Sequence, residues 1–320
     1  MRVLVTGATG FIGQRILDWG AAVPDLALVG ATRGRNSARD QRHDFVHVGE
    51  LGASLDWRPA LEGVDAVVHT AARAHVTRDR AADPLAEYRR INVAATEALA
   101  RQAATAGVRR LVFISSIKVN GERTMPDHPF RPADPPRPED PYGVSKAEAE
   151  TALRVVAAET GLDIVIVRPV LVYGPGVKGN FRSMMRWLQR GIPLPLGAVR
   201  NRRSLVALDN LVDLVFRVVR HQLAANQTFL VSDGVDFSTT ELLRMTAEAL
   251  GVRPRLVPVL PGLLAGTAHI AGLGRAAERL LGSLQVDISH TRRLLDWTPP
   301  VAPAQALAET AKAYLRGEVR

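Results

Sequence analysis

Residues 2–17 read Arg-Val-Leu-Val-Thr-Gly-Ala-Thr-Gly-Phe-Ile-Gly-Gln-Arg-Ile-Leu, and this stretch decides the fold. Val3, Leu4 and Val5 form a short apolar run of strand character. Gly7, Gly10 and Gly13 punctuate it, and Ile16 and Leu17 follow at helical spacing. Strand, glycine turn and helix in that order predict a site for a phosphate group. Gly7 and Gly10 let the backbone come close to a pyrophosphate, and the helix start at Phe11 and Ile12 offers free N–H groups and a favourable dipole. Gly13 lets the helix pack tightly on the strand. The spacing is G-x-x-G-x-x-G rather than G-x-G-x-x-G, and the competing reading is a turn that only joins two elements.

Further along, apolar runs recur at 26–31, 45–48, 64–69, 110–114 and 162–167. Between two of them, residues 84–106 are rich in Ala, Leu and Arg and predict one long helix ending at Gly107. The alternation predicts an α/β fold: a Rossmann-type, doubly wound parallel sheet. Residues 124–141 hold seven prolines and predict a rigid extended loop. After Pro169 the alternation becomes irregular, with helices expected at 239–250 and 303–316. We expect a cofactor domain of 1–172 plus about 204–232 and a smaller mixed α/β substrate domain of about 173–203 and 233–320.

The composition narrows the function classes. Of 320 residues, 47% are hydrophobic and 23% charged, so a sizeable core is expected. There is no cysteine, which excludes a disulfide scaffold, a thiol nucleophile and a thiolate metal site, and no metal is expected. The net charge is +9, but only four of the 41 basic residues are Lys and no long basic run occurs. Scattered Arg argues against nucleic acid and for an anionic small ligand. The glycine loop begins within six residues of Met1, which leaves no room for a signal peptide, and a cytoplasmic protein is expected. Residues 256–273 are the most apolar late stretch. Prolines near its start disfavour a membrane span, and a loop and helix packed on a core are expected.

Three further groups carry chemistry. At the end of the second strand Arg33 and Arg35 stand where an acidic residue would hold the ribose hydroxyls of NAD. An Arg suits a 2′-phosphate, so NADP(H) is favoured and NAD(H) is the alternative. Ser115 and Ser116 stand at the C-terminal end of a strand, where ligands of open α/β sheets bind. Asp140-Pro141 is a helix start, and Tyr142 and Lys146 follow four residues apart on one helix face. An ammonium there favours the phenolate and fits Tyr142 for proton transfer. Each feature alone has an ordinary reading: solvated loop charges, a strand-end turn, an exposed helix pair. Their combination and order are specific.

Together these residues resemble the extended short-chain dehydrogenases/reductases, the NAD-dependent epimerase/dehydratase family acting on nucleotide sugars, over nearly the whole chain. The resemblance implies Ser116, Tyr142 and Lys146 as the catalytic triad and Asn92 as a structural residue behind it. His69-Thr70-Ala71-Ala72 and Arg168-Pro169 match cofactor-side segments, and Gly49-Glu50-Leu51 departs from the Gly-Asp-Leu that many members have there. They imply Glu50, Leu51, Ala71, Ala72 and Pro169 at the cofactor, with Tyr142 and Lys146. On the substrate side Asn180 resembles the residue covering the nucleotide, Arg203 the one meeting the diphosphate, and Asp287 the start of a C-terminal motif ending at Trp297. Ser116 and Lys118 complete the implied substrate contacts.

The phrase Ser115-Ser116-Ile117-Lys118-Val119-Asn120-Gly121-Glu122 is similar to that of bacterial 4-ketoreductases making UDP-N-acetyl-quinovosamine for surface polysaccharides. Lys118 and Leu171 depart from simple UDP-hexose epimerases. The reading favoured from sequence is therefore NADPH-dependent reduction of a UDP-4-keto-6-deoxy-N-acetyl-hexosamine, in lipopolysaccharide-type sugar synthesis. The alternatives are a UDP-sugar 4-epimerase with tightly bound NAD and a non-catalytic NADP-binding scaffold. A 4,6-dehydratase is disfavoured because Ile117-Lys118, not Asp-Glu, follow Ser116. The resemblance also implies a homodimer through the helices of Asn92 and Tyr142.

Overall fold

The computed structural model describes residues 1–34, 42–74, 83–125, 127–270 and 274–317. Its first half runs β1 (Arg2–Thr6), α1 (Phe11–Gly20), β2 (Ala27–Thr32), β3 (Asp44–His47), α2 (Arg58–Leu61) and β4 (Ala66–His69). Then come α3 (Pro84–Tyr88), α4 (Ala95–Thr105), β5 (Arg110–Ile114), α5 (Pro141–Thr160), β6 (Asp163–Pro169) and β7 (Leu171–Tyr173). The remainder is α6 (Gly179–Gln189), β8 (Arg203–Ala207), α7 (Leu208–Arg220), β9 (Thr228–Val231), β10 (Asp236–Phe237) and α8 (Thr239–Ala249). The chain closes with α9 (Pro261–Ile270), α10 (Gly274–Leu281), α11 (Ser289–Leu295) and α12 (Pro303–Leu315).

Seven strands form one parallel sheet in the order β3-β2-β1-β4-β5-β6-β9. The apolar runs are continuous because both faces are covered. Val3 and Val5 face one core with Ile16, Val68, Val112 and the α7 residues Leu211 and Val215. Leu4 faces the other with Val67, Leu111, Phe113 and the helix residues Leu99 and Leu153. The order reverses at β1, flanked by β2 and β4, and the switch point opens at the C-terminal strand ends. The expected Rossmann-type α/β architecture is present. A smaller sheet, β10-β8-β7, carries a third core with Phe181, Met185, Leu243 and Leu307.

Two expectations need correction. The helix expected at 84–106 is broken by a π-helical turn, Arg89–Ala94, which contains Asn92. Asn92 is buried there and its side chain is held from outside the helix, which stabilises the wider turn. Within 256–273 the described residues form a loop and α9, as expected, and Leu256 packs on the third core, but the approach and first turn of α9 do not. Leu260 and Leu263 are 67% and 62% exposed. Among the described residues no helix is long and apolar enough to cross a membrane.

The proline loop is extended, as expected, and it is docked. Phe130 bridges Val286 in parallel, Thr124 N donates to Ser283 O, and Asp287 N donates to Phe130 O. The loop thus ties the end of β5 to the C-terminal segment.

Candidate functional site

The glycine loop leaves β1 beside the end of β4. Gly7 has φ +66, a left-handed conformation that favours glycine, and an added Cβ would lie 2.7 Å from Ala71 N. A Cβ on Gly13 would overlap the Gly7 carbonyl. Thr6 and His69 lock the two strand ends: Thr6 Oγ1 lies 2.6 Å from His69 Nδ1, and His69 Nε2 lies 2.9 Å from Thr96 Oγ1. Burial, then the nearby Lys146, push His69 down to about 3, so its ring is neutral.

This cradle fits a dinucleotide pyrophosphate. Gly10 is the N-cap of α1 with no side-chain cap, and the first turn, with Phe11, Ile12 and Gly13, has no acidic residue. No side chain caps the N–H groups of that turn, which leaves them available to an anion. Ala71 and Ala72 are half-buried at the same strand edge, and Pro169 is buried at the end of β6. Arg33 is exposed just beyond β2, and Arg35 lies outside the described residues. Leu51 is half-buried, packs on the second core and accepts from Arg90 Nη1 through its carbonyl, whereas Glu50 is exposed.

Ser116, Tyr142 and Lys146 come from two elements that approach closely. Ser116 is half-buried just past β5 and caps the 3₁₀ turn Ile117–Val119, its Oγ accepting from Lys118 N at 3.2 Å. Tyr142 opens α5, whose N-cap Asp140 accepts from Gly143 N at 2.7 Å. Gly143 permits the contact between them, since a Cβ there would lie 2.9 Å from the Lys118 carbonyl. Lys146, one turn further, is fully buried, donates to Ile114 O at 2.8 Å and lies 4.2 Å from the Phe113 ring centroid. Asn92 stands behind, its Nδ2 donating to Ser145 Oγ at 3.0 Å and its Oδ1 accepting from Arg73 N at 2.8 Å.

The electrostatics differ from the expected lowering of the Tyr142 pKa. Burial, Asp140 and Tyr88 all push the phenol above its ordinary value of 10.0. Burial also pulls Lys146 down to about 7, against the opposing pull of Glu150. Burial thus disfavours the charged form of both groups, the phenolate of Tyr142 and the ammonium of Lys146.

Sequence reasoning passed over the group that supports Lys146. Glu150 lies one turn beyond it on α5 and is buried. It accepts from Ser115 Oγ at 2.6 Å and pairs with Arg168 Nη2 at 2.5 Å, while Arg168 Nη1 donates to Asn120 Oδ1. The spacing Tyr142, Lys146, Glu150 on one helix face was the available signal.

On the substrate side the residues are spread around the cleft. Lys118 Nζ is held by Glu122 at 2.7 Å and by Asp140, so its charge is already answered by two carboxylates. Asn180 is exposed in the first turn of α6. Arg203 Nη1 donates to Gly282 O at 3.0 Å, and burial first, then Arg279, lower its pKa. Glu122 opposes that lowering, and it lies 3.7 Å from Arg279 Nε, so one carboxylate already faces this pair. Arg279, on α10, had no sequence signal. Asp287 accepts from Ser289 N and lies 3.6 Å from Arg131 Nε. Burial acts to raise its pKa, but these partners and Arg293 win, leaving it below the usual carboxylate value.

The sequence profile of the NAD dependent epimerase/dehydratase family matches residues 3–232. The chain belongs to that family. It is an enzyme of the extended short-chain dehydrogenase/reductase type, with a dinucleotide-binding fold. It is 44% identical to a UDP-glucose 4-epimerase of Vibrio cholerae over 319 residues, covering 99% of this chain and 97% of the relative. It is 28% identical to the N-acetyl-alpha-D-glucosaminyl-diphospho-ditrans,octacis-undecaprenol 4-epimerase of Escherichia coli O157:H7, covering 82% and 77% of the two chains. In fold it is similar to the UDP-glucuronic acid 4-epimerase of Bacillus cereus solved in complex with NAD, with a TM-score of 0.79, 20% identity and 99% of each chain covered.

Proposed function

We propose that this enzyme is a UDP-sugar 4-epimerase that works with a tightly held NAD. The observation that carries the reading is the full-length 44% identity to the Vibrio cholerae UDP-glucose 4-epimerase, and Lys146, one turn from Tyr142, bonded to the strand that leads into Ser116 supports it. The Bacillus cereus enzyme of the same fold was solved with NAD, which supports that cofactor over NADP. The 4-ketoreductase favoured from the sequence becomes the second reading. Its support is the lack of a carboxylate at the end of β2, where Arg33 is exposed and free to meet a 2′-phosphate.

In this reading a nicotinamide dinucleotide in the glycine cradle supplies the hydride acceptor and donor at sugar C4. Tyr142 exchanges the proton at O4, taking it as the alcohol is oxidised and returning it as the ketone is reduced. Ser116 donates a hydrogen bond to the same oxygen. Lys146 favours the phenolate when protonated and reaches the nicotinamide ribose. Arg203 and Arg279 hold the diphosphate, and Asn180 and Asp287 border the nucleotide. The remaining cofactor-side contacts come from Glu50, Leu51, Ala71, Ala72 and Pro169. Units of 1–172 with 204–232, and of 173–203 with 233–320, then carry cofactor and sugar nucleotide, in a cytoplasmic homodimer formed through α4 and α5.

The test is release of the cofactor. Purified enzyme, denatured and analysed by mass spectrometry, is expected to yield NAD near one equivalent per chain. A chain that carries no dinucleotide and binds NADPH more tightly than NADH in titration supports the ketoreductase instead.

A further inference from the structure

Two stretches without a single carboxylate meet at the rim of the smaller unit. Residues 164–208 contain eight basic residues and no Asp or Glu, and residues 249–277 contain no Asp or Glu either. They are joined by a parallel bridge between Leu194 and Leu256, with Leu194 N donating to Arg255 O and Val257 N to Leu194 O. In this extended ribbon Leu194 is buried, so its neighbours Pro193 and Pro195 face outward with Arg255 and Val257, and all four are exposed.

The ribbon continues into α9, where among the described residues Leu260 and Leu263 are the most exposed large apolar side chains of the helix and its approach. A Cβ added at Gly262 or Gly266 would meet nothing within 4 Å, so this side of α9 is open. At the other end of the ribbon Ile192 N donates to Trp187 O, and both side chains are exposed. Arg186, Arg190, Arg253 and Arg255 are exposed around them.

A lone exposed leucine needs no explanation, but five apolar side chains on connected segments with a basic fringe do. We propose that the ribbon and α9 dock on an anionic phospholipid surface, with α9 lying in the headgroup layer. At ten residues α9 is too short to span a bilayer, and its exposed leucines with the Arg and Trp of the connected ribbon suit contact with the interface. The Arg fringe matches anionic headgroups. A second copy of the chain would bring like-charged Arg residues together on segments that carry no carboxylate of their own. A nucleic acid would leave the leucines in water. The proposal does not depend on which sugar reaction the cleft performs.

Co-sedimentation with phosphatidylcholine vesicles, with and without phosphatidylglycerol, tests it. The full chain is expected to pellet with the anionic vesicles and to be released by raised salt. The double variant Leu260→Ser, Leu263→Ser and the double variant Arg253→Glu, Arg255→Glu should each weaken binding by about ten-fold or more. Leu223→Ser, at an exposed leucine of the 222–224 turn, should bind as wild type. Unchanged thermal melting of the variants verifies that the fold is intact, as expected for exposed positions. Wild type remaining in the supernatant at low salt, or full binding by the leucine variant, overturns the proposal. So does light scattering in which the leucine variant only converts an oligomer to a smaller species, since the surface is then an interface between copies.

Discussion

Lys146 Nζ donates to the carbonyl oxygen of Ile114 at 2.8 Å, which pins the helix carrying Tyr142 to the strand that leads into Ser116. The contact places a buried amine where its charge is disfavoured, and it gives stability and activity opposite demands on one residue.

The pH dependence follows from the sign of that shift. Lys146 is depressed from 10.5 to about 7 in the folded chain. Between these values the unfolded chain binds a proton that the folded chain does not, so this group makes stability rise with pH across the window. Below it the penalty of the buried ammonium is felt in full. Lys146→Met is therefore expected to melt a few degrees higher than wild type at about pH 6, with the gain shrinking toward pH 10, while turnover is lost. Melting curves across that range check it, and a variant less stable at every pH would show that the bond to Ile114 outweighs the burial.

Tyr142→Phe is expected to fold and bind dinucleotide as wild type does, because the cap Asp140 and the Gly143 contact are untouched. Turnover should fall by about 10²–10⁴-fold with the proton carrier gone. Steady-state kinetics with dinucleotide binding measured in parallel separate the two effects. Wild-type turnover in this variant would remove Tyr142 from the site.

Gly143→Ala tests the approach of the two elements. Alanine is the better helix former, yet its Cβ would lie 2.9 Å from Lys118 O and 3.2 Å from Pro138 Cβ. Overpacking of this kind costs about 1–3 kcal/mol and shifts Tyr142 away from Ser116. Lower melting temperature and lower kcat are expected together. An Ala variant as stable and as active as wild type would mean that the contact relaxes without moving the tyrosine.

Glu150→Gln leaves the Arg168 guanidinium buried without its counter-charge. Breaking such a pair costs about 3–5 kcal/mol, far more than an exposed ion pair such as Arg58–Asp56. Calorimetry should show a large drop in stability. A change no greater than that of Asp56→Asn would contradict the supporting role given to Glu150.

What could be read from the sequence was local. The strand cores were legible because Val and Ile runs buried on both faces leave an unambiguous signature, and the cap Asp140-Pro141 places the start of α5 to the residue. The π turn at Asn92 was not, because Ala-rich periodicity looks the same whether the turn has the ordinary or the wider pitch. Asn92 on that turn is held by a bond to Ser145, far away in sequence. Lys118 was expected at the substrate, and its pairing with Asp140 was not legible because the two lie 22 residues apart across the proline loop. Arg279 acquires meaning only through its nearness to Arg203, on a strand far away in sequence. The apolar stretch around α9 looked like core, since hydrophobicity alone does not tell which side of a helix finds a partner.

The central claim, a 4-epimerase working without net redox change, is tested most directly by product analysis with no cofactor added. Purified enzyme is incubated with UDP-glucose, and in parallel with UDP-N-acetylglucosamine, and the sugar C4 configuration is followed by proton NMR. The account predicts that at least one substrate converts to a mixture with its 4-epimer, with no change in dinucleotide absorbance at equilibrium. No epimer from either substrate, together with stoichiometric consumption of NADPH on a UDP-4-keto-hexosamine, would contradict it.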